Sequence, residues 1–308
     1  MSTTLILIQV LNGLQLGVIL FLIAAGLTLV FGVMGFINLA HGVQYMLGAY
    51  LAVWLYGATG SFIAAFLLAL PLALLLGLVL EFLVFRHLYA RDHLSQVLAT
   101  FGVILFLNQA VKVIFGPAAL TVEVPQFLDW SFELVPGLLY PAYRVALIVA
   151  GLLVAAALWY VITRTRVGML IRAGATNPEM VSALGVNVRQ LFLVVFGFGA
   201  MLAGLAGVLA APVFSVEPGM GDDLLIVAFV VIIIGGAGSI RGAFVAALLV
   251  GLVDTLGRTL VTDGLRLAMD ASAANQIGPA IASMLIYVLM ALVLFWRPEG
   301  LFAAKVTR

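Results

Sequence analysis

Apolar runs of about 20 residues follow one another along this chain, parted by short polar, glycine-bearing or proline-bearing stretches. A helix of that length crosses a hydrocarbon layer about 30 Å thick. Inside such a layer every backbone N–H and C=O must find its partner within the protein, which only helices and closed barrels achieve. Barrel strands would show as short alternating segments, and none are visible. With 65% hydrophobic and 9% charged residues, against about 25% charged in soluble domains, the chain reads as an all-α, polytopic helical membrane protein. Spans fall at residues 5–31, 35–57, 60–85, 96–115, 143–163, 191–213, 223–240, 242–260 and 277–296. Residues 32–42 and 235–242 interrupt the pattern, so eight or nine spans fit, as interrupted helices of one transmembrane domain over residues 1–308.

Composition excludes several functions. No basic tract with interleaved aromatics points to nucleic acid, and the absence of cysteine removes disulfides and thiol chemistry. The N-terminus has no basic region ahead of its apolar run, so that run is expected to be a span and not a removed signal.

Basic residues concentrate on the cytoplasmic side of a membrane. Placing residues 164–190 there and alternating outward puts ten of the fourteen Lys and Arg inside: Arg86, Arg91, Arg164, Arg166, Arg172, Arg189, Arg241, Arg297, Lys305 and Arg308. Lys112, Arg144, Arg258 and Arg266 fall outside, with most of the acids. The outer stretch 116–142 holds Pro117, Pro125, Pro136 and Pro141 and cannot be one helix. It fits both a plain connector and a docking surface at the outer interface.

The 164–190 stretch carries the punctuation of a short helix in NPEMVSALGVN. Asn177 suits the N-cap, Pro178 the first helical position, and Glu179 the positive end of the dipole. Gly185 supplies a left-handed stop. Two turns are marginal alone, so the helix over 177–185 needs a surface: either the lipid headgroups or another protein.

Polar residues also interrupt the apolar region. Asn38, His41, Gln44 and Tyr45 lie where the second span should be, with 38, 41 and 45 on one face if the stretch is helical. Groups of this kind at membrane depth face a bundle interior or a water-filled path. A similar interruption, GGAGSIRG, holds Gly235, Gly236, Gly238 and Ser239, and paired interruptions in two halves point to a solute path. Hydrogen-bonded packing explains each residue singly as well.

Four stretches carry a resemblance. GMLIRAGATNPEMVSALGVNV resembles the cytoplasmic coupling loop of bacterial permeases that serve ATP-driven importers of branched-chain amino acids. GLTLVFGVMGFINLAHGVQYMLGAY, GGAGSIRGAFVAALLVG and RPEGLF are similar to the same family, in the same order and spacing. The NLAHG form is similar to the LivH type; Val43 stands where many such permeases carry a polar or acidic residue.

The resemblance implies a permease paired with a second one, as heterodimer or homodimer, and two cytoplasmic ATP-binding subunits. It also implies a periplasmic or external solute-binding protein, and the bacterial inner membrane with the C-terminus in the cytoplasm. Arg172, Ala173, Asn177, Pro178, Glu179, Met180, Leu184 and Gly185 would then meet the ATPases. The chain has no G-x-x-x-x-G-K-[ST] loop, and its lysines are Lys112 and Lys305 alone. No cofactor is expected on this chain; ATP and Mg would belong to the partner subunits.

Two rival classes stand beside this reading. An ion-coupled secondary transporter of a small amino acid or amide needs a titratable group at mid-membrane. Glu81 and Asp254 fall near span ends instead. An intramembrane enzyme would have to work with His41, His87, His93 and Ser239, which form no recognised catalytic spacing.

Overall fold

A computed structural model describes residues 3–135 and 138–302. Pro136, Lys305 and Arg308, used above, lie outside the described residues. The order is α1 (Thr3–Met34), α2 (His41–Thr59), α3 (Phe62–Leu83), α4 (His93–Phe115), β1 (Ser131–Val135), β2 (Leu138–Pro141) and α5 (Ala142–Arg164). It continues with α6 (Arg166–Thr176), α7 (Pro178–Ala183), α8 (Val188–Ala210), α9 (Met220–Gly235), α10 (Ile240–Leu265) and α11 (Ala271–Trp296). Seven of these, α1, α3, α4, α5, α8, α10 and α11, are long and apolar enough to cross a membrane. The chain is therefore a multi-pass membrane protein, and each expected span contains a helix.

Two helices form the centre. Residues 18–25 of α1 are buried on every face, and so are residues 202–210 of α8. Around them α10 packs along α1, while α2 and α3 pack on α8. The eight described arginines of the expected inner set gather at one end of the bundle, here the basic end. The acids Glu123, Asp129, Asp263 and Asp270 lie at the other.

The first interruption lies within the bundle. Gly35, at φ +61°, ends α1 with its N–H on Phe31 O at 2.9 Å, a backbone geometry that favours glycine. Residues 35–40 then turn back toward mid-depth. Phe36 is fully buried, its ring 5.6 Å from Phe85 and 5.3 Å from Tyr89. The side-chain carbonyl of Gln96 accepts from Ile37 N at 3.3 Å. His41 opens α2 with Nε2 3.0 Å from Ile23 O. Ile23 precedes the end of α1 by about 16 Å of helix, so α2 starts near half-depth. Asn38 thus precedes the helix and does not share a helical face with His41 and Tyr45.

The second interruption lies elsewhere than expected. Residues 236–239 form a tight turn at the basic end, where Ser239 Oγ caps α10 by accepting from Gly242 N at 3.1 Å. Leu301 N and Phe302 N donate to Ile234 O and Gly235 O at 2.8 and 3.0 Å, so the RPEGLF stretch closes over that turn. The true counterpart of the first break is residues 211–219. There Leu120 and Val216 exchange two backbone hydrogen bonds of 2.8 Å, and α9 then begins beside α2. A methyl group on Gly42 or Gly221 would collide with the other's backbone. Residues 116–142 are indeed no single helix: among the described residues they hold a short 3₁₀ turn and the antiparallel β1–β2 hairpin, register Phe132 to Tyr140.

Close approach also sets α2 on α8, since any Cβ on Gly48 would enter the Gly204 backbone. Gly48→Ala is expected to destabilise the solubilised protein by about 1–3 kcal/mol, the cost of overpacking. Gly102→Ala, on α4 with nothing within 4 Å of the added methyl, should leave the melting temperature unchanged or higher. Thermal unfolding of the two variants side by side checks both.

Candidate functional site

Three features of the bundle bear on function: a polar cavity in its acidic half, a buried polar cluster at mid-depth, and a helical pair at its basic end. The cavity, about 690 Å³, is lined by α1, α5, α9, α10 and α11. Arg144 Nη1 reaches it while donating to Asn12 Oδ1 at 2.8 Å. Arg258 lies opposite, gripping Asp254 through two hydrogen bonds of 3.0 Å. Asp223, Gln15, Thr255, Ser283 and Tyr287 complete the polar part of the wall. None of these was expected as a site. Asn12 and Gln15 stand three apart on one span, Asp254 and Arg258 four apart on another, but nothing in the sequence says that the two faces meet.

The expected path residues are placed differently. Asn38, His41, Gln44 and Tyr45 are all buried, at 4% exposure or less, and none lines the cavity. The first turn of α9 stands between: its Gly221 touches Gly42, while Asp223 and Leu224 face the cavity. Among the described residues both side-chain polar atoms of Asn38 have no hydrogen-bond partner, and Gln44 and His41 Nδ1 have none beyond each other. Leaving a buried polar group unpaired costs about 1–3 kcal/mol. Gly235, Gly236, Gly238 and Ser239 are not brought to either place and form the turn between α9 and α10.

At the basic end residues 164–190 form two helices where one was expected. Thr165 caps α6, its Oγ1 accepting from Gly168 N at 3.1 Å. Ile171 and Gly174 of α6 are buried, Gly174 beside Leu191. Arg172 and Ala173 therefore belong to a helix and not to an open flank. Asn177 caps α7 as expected, accepting from Met180 N at 2.9 Å. Gly185, at φ +87°, ends it; Gly185 N donates to Ser182 O at 2.9 Å and Val186 N to Val181 O at 3.3 Å. That pair of bonds is a Schellman stop. Val181 is buried, whereas Met180 and Leu184, one turn apart, are 58% and 77% exposed. Glu179 and Pro178 are exposed beside them.

The two acids of the rival reading are both paired. Glu81, wholly buried, accepts from the Tyr89 hydroxyl at 3.1 Å and lies 3.7 Å from Arg86 Nε. Burial, and then the Glu81 carboxylate, push the Tyr89 hydroxyl far above its ordinary range, so it remains a donor. Ser239 is occupied as a cap.

Helices that begin at half-depth, a charged cavity in one half and an exposed capped helix at the far end define the body of a membrane transport protein. The family is shown by sequence comparison. The chain belongs to the branched-chain amino acid transport system permease components, whose profile matches residues 9–294. It is 30% identical to the high-affinity branched-chain amino acid transport system permease protein BraD of Pseudomonas aeruginosa, over 95% of this chain and 94% of that protein. LivH of Escherichia coli strain K12 is 30% identical over 80% of this chain and 84% of its own, and LivH of Salmonella typhimurium 32% over the same shares. No solved structure matches the chain significantly.

Removing the cap tests whether α7 is a discrete unit. Asn177→Ala should cost the α7 helix about 1 kcal/mol. Amide hydrogen exchange over residues 179–184 should then rise roughly fivefold, with exchange in α1 and α8 unchanged.

Proposed function

We propose that this chain is the membrane permease subunit of an ATP-driven importer that moves branched-chain or closely related small amino acids. The observation that carries the reading is the family match from residue 9 to 294, which spans cavity, broken helices and basic end together. Its companions are two cytoplasmic ATP-binding subunits, a second permease and an external solute-binding protein, with ATP and Mg held by the ATPases. The basic end and the C-terminus face the cytoplasm of a bacterial inner membrane, following the arginine distribution.

In this assignment α7 is the part the ATPases hold. Exposed Met180 and Leu184 supply an apolar contact, with Glu179, Pro178 and Gly185 around them. Arg172, Ala173 and Asn177 link that contact to α6. Asn38, His41, Gln44 and Tyr45 form the barrier beneath the cavity, which alternates between closed and open as α2 and α9 shift. Their unpaired polar atoms would then find partners in water or solute during passage.

Glu81 is paired with Tyr89 and Arg86 and Asp254 with Arg258, so neither stands as an unpartnered acid at mid-membrane, which favours the importer over an ion-coupled transporter. The test is uptake in proteoliposomes holding the purified complex and its binding protein. Leu184→Asp and Glu179→Arg should each lower ATP-dependent leucine uptake at least tenfold while the protein still inserts in the membrane. Uptake that needs no ATP and collapses with a protonophore would sink the importer reading.

A further inference from the structure

The geometry points to a binding site in this chain itself: the cavity between α1, α5, α9, α10 and α11 takes a zwitterionic α-amino acid with an aliphatic side chain. This rests on the importer reading and deepens it, since a permease served by a binding protein needs no site of its own.

Charge pairing within the cavity carries the inference. Four ionised groups face it, Arg144, Arg258, Asp223 and Asp254. Two of them neutralise each other, because Arg258 holds Asp254 with two bonds of 3.0 Å. Arg144 and Asp223 are left over. Among the described residues Arg144 has the neutral Asn12 and Tyr140 as its hydrogen-bond partners and no ion pair, and the exposed Asp223 makes neither an ion pair nor a hydrogen bond. An unmatched cation and an unmatched carboxylate thus face one cavity without touching. A free amino acid supplies the opposite pair of charges, its carboxylate to Arg144 and its ammonium to Asp223.

An ammonium group carries three donors, and the Asp223 carboxylate on the cavity wall can accept from it. The apolar part of the wall is mostly aliphatic, with Leu16, Leu20, Leu224, Val227, Val250 and Ile286. That surface suits a branched side chain. At 690 Å³ the cavity falls in the range of about 300–1,000 Å³ usual for small-molecule sites.

Equilibrium binding of radiolabelled L-leucine to the assembled complex in lipid nanodiscs, without the solute-binding protein, tests the site. Saturable binding is expected, displaced by isoleucine and valine. Leucine amide, which lacks the carboxylate, and isocaproate, which lacks the ammonium, should compete at least tenfold less well. Asp223→Asn and Arg144→Gln should each weaken leucine binding tenfold or more. The analogue series uses the unaltered protein, so it decides the matter even if a variant misfolds. Absent binding, equal competition by amide and acid, or variants that bind normally would overturn the site. ATP-dependent uptake is measured in parallel. Uptake without a site in the cavity overturns this inference alone, and binding without ATP-dependent uptake overturns the importer assignment alone.

Discussion

In a lipid layer an apolar side chain gains little by moving from hydrocarbon to protein, so helices must associate by close packing and internal hydrogen bonds. This bundle meets that constraint with backbone on backbone. Where α2 crosses α8 at Gly48 and Gly204, and where α2 meets α9 at Gly42 and Gly221, no side chain fits between the chains. The second contact matters most. It brings together the first turns of two helices that begin at half-depth and run to opposite ends. Helix starts inside a membrane leave donor groups that need partners. Here the first break is largely buried, with Gln96 serving Ile37, while the second, exposed at Phe214, Ser215 and Glu217, is tied down where Leu120 pairs with Val216.

From that contact the functional layout follows. The first turn of α9 is at once a wall of the charged cavity and a roof over the buried cluster of Asn38, His41 and Gln44. Glycine contacts without interlocking side chains let such helices slide past each other at small cost. In the proposed importer, a modest shift of α9 against α2 would join the cavity to the cluster below. The unpaired polar atoms of that cluster are then a local cost retained for passage, offset by the tightly packed α1 and α8 beside them.

Much of this was legible in the sequence, and what was missed has physical causes. Helix existence was readable because apolar runs of span length leave no alternative. The α7 caps were readable because Asn177, Pro178 and Gly185 act within a few residues of themselves. Glycine interruptions were read less well. Residues 35–40 and 236–239 both open on a glycine that breaks an apolar run, yet one re-enters the bundle and the other is a surface turn closed by Leu301 and Phe302. Only tertiary contacts separate those outcomes. The re-entrant break at 211–219 carries Pro212, Pro218 and Gly219, a signal present in the sequence but indistinguishable from an ordinary loop. The cavity was the least readable feature. Asn12, Arg144, Asp223 and Asp254 come from four separate helices, and each residue alone is as well explained by packing.

The attachment of α7 constrains how motion at the basic end would reach the rest. α7 touches the bundle through α6 and the start of α8, and α6 in turn packs on α1, α5 and α8. Buried Ile171 and Gly174 seat α6 at the ends of α1 and α8, beside Val33 and Leu191. Those are the two most buried helices of the chain. In the proposed importer, a force applied at Met180 and Leu184 would reach the rigid centre through the α6 contacts with α1 and α8, alongside its contact with α5. Interiors packed this closely transmit displacement with little loss. The centre carries it to the glycine contacts with α2, where the helices can yield. In the proposed importer the exposed capped helix and the half-depth breaks would act together, with a stiff pair of helices between them.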